Sequence, residues 1–210
     1  WRINEIEKVD EKNKLIYFSG TGSVNTDIHF FSVKMNGSQL KQLTKGTGAH
    51  YASLSPNAAY FIDRYSSTTI APSQVLYTTK GKEIRSINKE ETPSFDAKVH
   101  HKMELFRVKS TDEKFDLPVV WTLPANFDKS KKYPVVFSIY GGPDAGGISD
   151  SWRGWRGNNL TRMGVIVVSV AHRGSGKFGK AGLDYMHRSL GKWEMEDYFA
   201  VVNWLKEQPF

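Results

Sequence analysis

Two stretches of the chain repeat each other at a fixed distance, and this limits the fold of the first ninety residues more than any other feature. Leu15-Ile16-Tyr17-Phe18, His29-Phe30-Phe31-Ser32-Val33 and Leu40-Lys41-Gln42-Leu43-Thr44 are short, apolar-rich and bounded by turn residues, as strands of an all-β domain are. Asn36-Gly37 separates the last two and predicts a tight hairpin of type I′, which needs positive φ at both central residues. Tyr51-Ala52-Ser53-Leu54, Tyr60-Phe61-Ile62-Asp63, Gln74-Val75-Leu76-Tyr77-Thr78 and Glu83-Ile84-Arg85-Ser86-Ile87 follow, with Ser55-Pro56-Asn57 and Lys80-Gly81 as turns. Gly37 and Gly81 are 44 residues apart, and so are Ile16 and Tyr60. Four strands in about 40–45 residues is the period of a propeller blade. A propeller closes with about 4–8 blades. Two blades, on a chain that begins at Trp1 rather than Met, are therefore expected to belong to a larger protein.

The pattern changes after residue 90. Glu90-Glu91-Thr92-Pro93-Ser94 is polar and broken by proline, and residues 91–103 read as a connection between domains. His100 and His101 within it are adjacent, and neighbouring side chains on an extended chain point to opposite sides, so they do not suggest a metal site. Glu104–Val108 and Leu117–Pro124 read as strands. Tyr133–Ile139 is an apolar, β-branched run of the kind expected in a strand buried on both faces, and it ends in Tyr140-Gly141-Gly142-Pro143. An irregular loop is expected from Gly146 to Gly157. Asn158 or Asn159 should cap a short helix through Met163, ended by Gly164. A second buried strand is expected over Val165–Val170. A final helix is expected from about Lys192 to Glu207, with Tyr198, Val201, Val202 and Leu205 on one face and Pro209 ending it. The expected fold class is mixed: antiparallel β-propeller blades over 1–98, then the N-terminal half of an α/β-hydrolase doubly wound sheet over 99–210.

Composition removes several functions. The chain has no Cys, which excludes disulfides, thiol catalysis and thiolate metal sites. Its six His form no metal-binding motif, and neither a metal nor a cofactor is expected. The net charge of +7 is spread among acids without a basic block, which argues against nucleic-acid binding. No apolar run reaches membrane-spanning length and no signal peptide is visible.

Two motifs mislead. A serine hydrolase of the α/β type carries its nucleophile in Gly-x-Ser-x-Gly. Neither Gly147-Ile148-Ser149-Asp150-Ser151 nor Arg173-Gly174-Ser175-Gly176 fits it, so neither Ser149 nor Ser175 is a credible nucleophile. Gly174-Ser175-Gly176-Lys177-Phe178-Gly179 matches the dinucleotide fingerprint in spacing. Residues 180–191 lack a sustained apolar helical face, however, and Glu194 and Asp197 fall in an expected helix where a ribose-binding acid should end a strand. The glycines read instead as tight-turn residues.

Four segments carry a resemblance. Asn126–Pro134 is similar to the entry into the third core strand of the prolyl oligopeptidase family of serine peptidases. Tyr140-Gly141-Gly142-Pro143 resembles its oxyanion motif, Arg173–Gly176 its Arg-Gly-Ser-Gly loop, and Leu190–Asp197 the Leu-Gly-x-x-Glu-x-x-Asp helix that precedes the nucleophile. Ser53–Asn57 resembles a turn of the family's propeller blades. The resemblance is nearest to the dipeptidyl peptidase IV branch. It implies a serine exopeptidase that releases N-terminal dipeptides with Pro or Ala at the penultimate position, takes peptide substrates, forms a homodimer and works outside the cytoplasm. Of the family's catalytic residues it places one here, Tyr140, as an oxyanion donor. The Ser, Asp and His would lie beyond Phe210 and the acidic pair for the substrate amine before Trp1, so the 210-residue chain alone is expected to be inactive. A non-catalytic interaction module on the same scaffold is the alternative reading, and nucleotide binding a third.

Overall fold

The computed structural model describes residues 2–144 and 147–210; the Gly146 end of the expected loop lies outside them. The chain forms two compact units. One runs to Pro93 and includes Ser149–Trp152; the other comprises Ser94–Ile148 and Arg153–Phe210.

The first unit holds two four-stranded antiparallel sheets. One is β1 (Ile3–Asp10), β2 (Leu15–Gly20), β3 (His29–Lys34) and β4 (Lys41–Gln42), and the other β5 (Ala49–Leu54), β6 (Tyr60–Ser67), β7 (Ile70–Thr78) and β8 (Glu83–Lys89). Each sheet is a meander in chain order. The repeat is visible in its turns. The Gly37 N–H donates to the Lys34 carbonyl and the Lys34 N–H to Ser38; 44 residues on, Gly81 donates to Thr78 and Thr78 to Lys82. Gly37 and Gly81 have φ of 82° and 92°, and neither residue before them has a positive φ. The expected type I′ turn is thus replaced in both sheets by a turn of type I character closed by a left-handed glycine, the three-residue hairpin solution. Leu15 faces Lys34 whereas Tyr60 faces Thr78. The offset is therefore 45 on β2 and β6 but 44 on β3 and β7, and Ile16 and Tyr60 are not register equivalents.

Tyr17, Phe30, Leu43, Ala58 and Phe61 form the apolar core of this unit. Ile28 bridges to Ala49, and the His29 ring stacks on His50 at 5.1 Å. His50 Nδ1 meets Asp63 Oδ2 at 2.8 Å, with both residues buried. Asp150 of the returning segment donates its N–H to Thr26 and accepts from Thr68 N–H at 2.7 Å.

The second unit is built on one sheet ordered β11-β12-β10-β9, from β9 (Met103–Lys109), β10 (Asp116–Thr122), β11 (Val135–Phe137) and β12 (Ile166–Val170). β9 and β10 form an antiparallel hairpin, β12 runs antiparallel to β10, and β11 runs parallel to β12. Helix α1 (Asn159–Arg162) starts at Asn158, whose side chain accepts from the Thr161 N–H. Gly164, with φ of 83°, follows it. Helices α2 (Gly179–Leu183) and α3 (Trp193–Lys206) complete the unit. Tyr198, Val201 and Leu205 of α3 pack on Leu117, Val119, Ile166 and Val168 to form the core. The strand expected to be buried on both faces over Tyr133–Ile139 is instead a short edge strand. β11 spans three residues, has one neighbouring strand, and leaves Val135 and Val136 exposed. Its apolar character serves an edge with no partner among the described residues.

Candidate active site

β11 and β12 point their C-terminal ends the same way, so the loops that leave them meet. Ser138 extends the pairing by donating its N–H to Val168; Tyr140 follows as the chain leaves the sheet. Tyr140 is 81% exposed, and its hydroxyl has no hydrogen-bond partner among the described residues. The two glycines after it have separate duties. Gly141 takes φ of 79°, which a side chain disfavours. Gly142 makes room: a Cβ there would stand 2.6 Å from the Tyr140 ring.

A cavity of about 260 Å³ opens beside Tyr140, and Gly141, Arg153, Ser169, His172, Ser175 and Tyr198 are among its walls. His172 is 2% exposed, stands edge-on to Tyr198 at 5.7 Å, and neither ring nitrogen has a well-formed hydrogen bond. Burial lowers its pKa; the nearby Asp197, Glu194 and the Gly142 backbone favour the charged form but do not outweigh it. Burial, with Glu194 and Asp197 adding to it, likewise raises the Tyr198 phenol. The Ser175 hydroxyl is buried and unpartnered. All three groups line the cavity, and the shifts of His172 and Tyr198 favour their neutral forms.

The floor is anchored by Arg173, which is fully buried, as is Asp197. The Arg173 guanidinium donates to Asp197 Oδ1 at 2.6 Å and to Asp112 at 2.9 and 3.2 Å, and its backbone N–H donates to Asp197 Oδ2 at 2.7 Å. Phe115, Tyr185 and Trp193 surround the guanidinium with ring centroids 4.7–5.0 Å away, a cation–π arrangement. Desolvation alone would raise the Asp112 carboxyl, but hydrogen bonds from Arg173 and Ser110 prevail and hold it at about 2. The same two carboxylates raise the Arg173 pKa against the opposing effect of burial.

The glycine-rich segment is explained by this packing. A Cβ on Gly174 would overlap Met186, and one on Gly182 the Arg173 carbonyl. Gly176 and Gly179 have φ of 89° and 59°. The helix that follows spans only Gly179–Leu183, too short to present the N-terminus a pyrophosphate site requires. Among the described residues no group of three or more His, Asp or Glu could hold a metal ion. His100 Nδ1 accepts from the Asp96 N–H, while the buried His101 donates its backbone N–H to the Trp155 carbonyl. Sequence reasoning passed over His172, Arg153 and the Arg173–Asp197 pair, although Arg173 and Asp197 stand in segments it singled out.

Meandering four-stranded sheets followed by a mixed sheet with parallel β11 and β12 define a propeller-and-hydrolase type of protein. Family models agree. Residues 1–72 match the dipeptidyl peptidase IV (DPP IV) N-terminal region, and residues 151–210 the prolyl oligopeptidase family. The chain is 32% identical over 208 residues to a probable dipeptidyl-aminopeptidase B of Trichophyton verrucosum, covering 96% of this chain and 23% of that one. It is 30% identical over 217 residues to the same-named protein of Uncinocarpus reesii, covering 100% and 24%. A Bacteroides ovatus structure provisionally described as a dipeptidyl aminopeptidase IV superposes with a TM-score of 0.83 at 28% identity, over 99% of this chain and 30% of that one. Porphyromonas gingivalis dipeptidyl peptidase 4 shares the fold, with a TM-score of 0.79 at 22% identity over 100% and 30%. The chain belongs to the prolyl oligopeptidase family, in its dipeptidyl peptidase IV-like branch. It spans about a quarter of the length of the curated relatives it matches.

Proposed function

We propose that the full protein is a serine exopeptidase that releases N-terminal dipeptides, with Pro or Ala at the penultimate position, and that Tyr140 donates to the oxyanion. Relatives named dipeptidyl-aminopeptidase B support the reaction. The observation that carries the site is the open edge of β11, which ends at Phe137, three residues before Tyr140 at the cavity. A further parallel strand on that edge would run about 4.8 Å from β11. Its C-terminal turn would then bring a nucleophile within reach of the Tyr140 phenol and shield the phenol from water. The nucleophile, its base and the groups that hold the substrate amine are assigned to parts of the protein outside these 210 residues.

A donor aimed at charge that develops in the transition state acts on kcat. In the full-length protein, Tyr140→Phe is expected to lower kcat on a Gly-Pro amide by about 10²–10³-fold with little change in KM. A change in kcat below about threefold, with an unchanged unfolding midpoint, removes Tyr140 from the mechanism.

A further inference from the structure

The cavity beside Tyr140 has one fully charged side chain in its lining, Arg153, and no carboxylate. Arg153 is exposed, forms no ion pair among the described residues, and uses one of its five N–H groups, to the Gly147 carbonyl at 3.2 Å. A free guanidinium fork is matched to a carboxylate, which it binds through two parallel hydrogen bonds. In the same lining, His172 and Ser175 are buried with unpartnered polar atoms, which leaves polar groups available to a guest.

We propose that Arg153 recognises the C-terminal carboxylate of the peptide's leaving side, so that the protein favours tripeptides with a free acid end. The inference rests on the dipeptidyl peptidase reading above. A dipeptide released from the amino end leaves the substrate's main-chain carboxylate on the leaving side. In a tripeptide that carboxylate belongs to the residue just past the scissile bond, and consecutive Cα atoms are about 3.8 Å apart. Arg153 and Tyr140 line the same cavity of about 260 Å³, so a residue one step past the scissile bond lies on the side where the guanidinium stands.

The test uses full-length protein and two substrates, Gly-Pro-Ala as the free acid and as its C-terminal amide, with kcat/KM measured for each. Wild type should prefer the acid by about tenfold or more, the scale of a charge-assisted bidentate contact. Arg153→Met should bring the acid-to-amide ratio close to one, mainly through KM for the acid, and Arg153→Lys should restore part of it. A ratio that is the same in wild type and Arg153→Met overturns this inference and leaves the peptidase reading standing. Wild type that turns over neither substrate sinks the peptidase reading and this inference with it.

Discussion

Removing the charge of Asp197 is expected to destabilise the hydrolase-type unit more than any other single-atom exchange around the site. In Asp197→Asn the side chain keeps its shape and loses its charge. Arg173 then stays fully buried with Asp112 as its one remaining counter-ion, and Asp112 is 23% exposed where Asp197 is 0%. Four contacts weaken together: three from the guanidinium and one from the Arg173 backbone N–H. Breaking a buried ion pair from one side costs about 3–5 kcal/mol where the other charge is left uncompensated, and the partly exposed Asp112 compensates Arg173 only in part. Asp112→Asn should cost less, about 1.5–3 kcal/mol, since Asp197 still neutralises Arg173, one Asp112 oxygen still accepts, and a hydrogen bond to a charged group is worth about that much. Trp193 lies over the guanidinium at 4.7 Å, so tryptophan fluorescence during urea unfolding reports on this neighbourhood. A loss below about 1 kcal/mol for Asp197→Asn, or a larger loss for Asp112→Asn than for Asp197→Asn, would refute the reasoning.

Two further outcomes follow from the same packing. The folded Asp112 carboxyl sits at about 2, below its ordinary 3.8, so its contribution is present above about pH 4 and is lost as pH falls toward 2. It amounts to about 2 kcal/mol, and an acid-unfolding profile of Asp112→Asn should lack that limb. Gly182→Ala should destabilise by about 1–3 kcal/mol even though alanine favours a helix by up to about 1 kcal/mol over glycine, because its Cβ would overlap the Arg173 carbonyl; equal or higher stability in urea unfolding would contradict this.

What could be read from the sequence divides along physical lines. Strands bounded by turn chemistry were legible: Gly37 and Gly81 report a local backbone requirement, and the structure meets it at both places with the same hydrogen bonds. β1 escaped notice because its side chains are exposed or half-buried along its whole length, so no alternation marks it. β11 was overextended for the opposite reason. An apolar run reports that burial is wanted, and Val135 and Val136 remain exposed where no further strand lies on that edge among the described residues.

The Arg173 cage shows why the floor of the site could not be derived from the sequence. A lone Arg reads as a solvated residue, since arginine is rarely buried without a partner. Its partners here lie 24 and 61 residues away, and its aromatic walls come from three separate segments. No periodicity links such positions. The glycines around it looked like a phosphate loop for the same reason: spacing alone does not distinguish a backbone that approaches a ligand from one that approaches its own protein. Met186 over Gly174 and the Arg173 carbonyl against Gly182 decide between them. The segment that imitates a nucleotide site thus holds the buried cation in place. With Arg173 so fixed, the adjoining His172 stands in the wall of the cavity that Tyr140 overlooks.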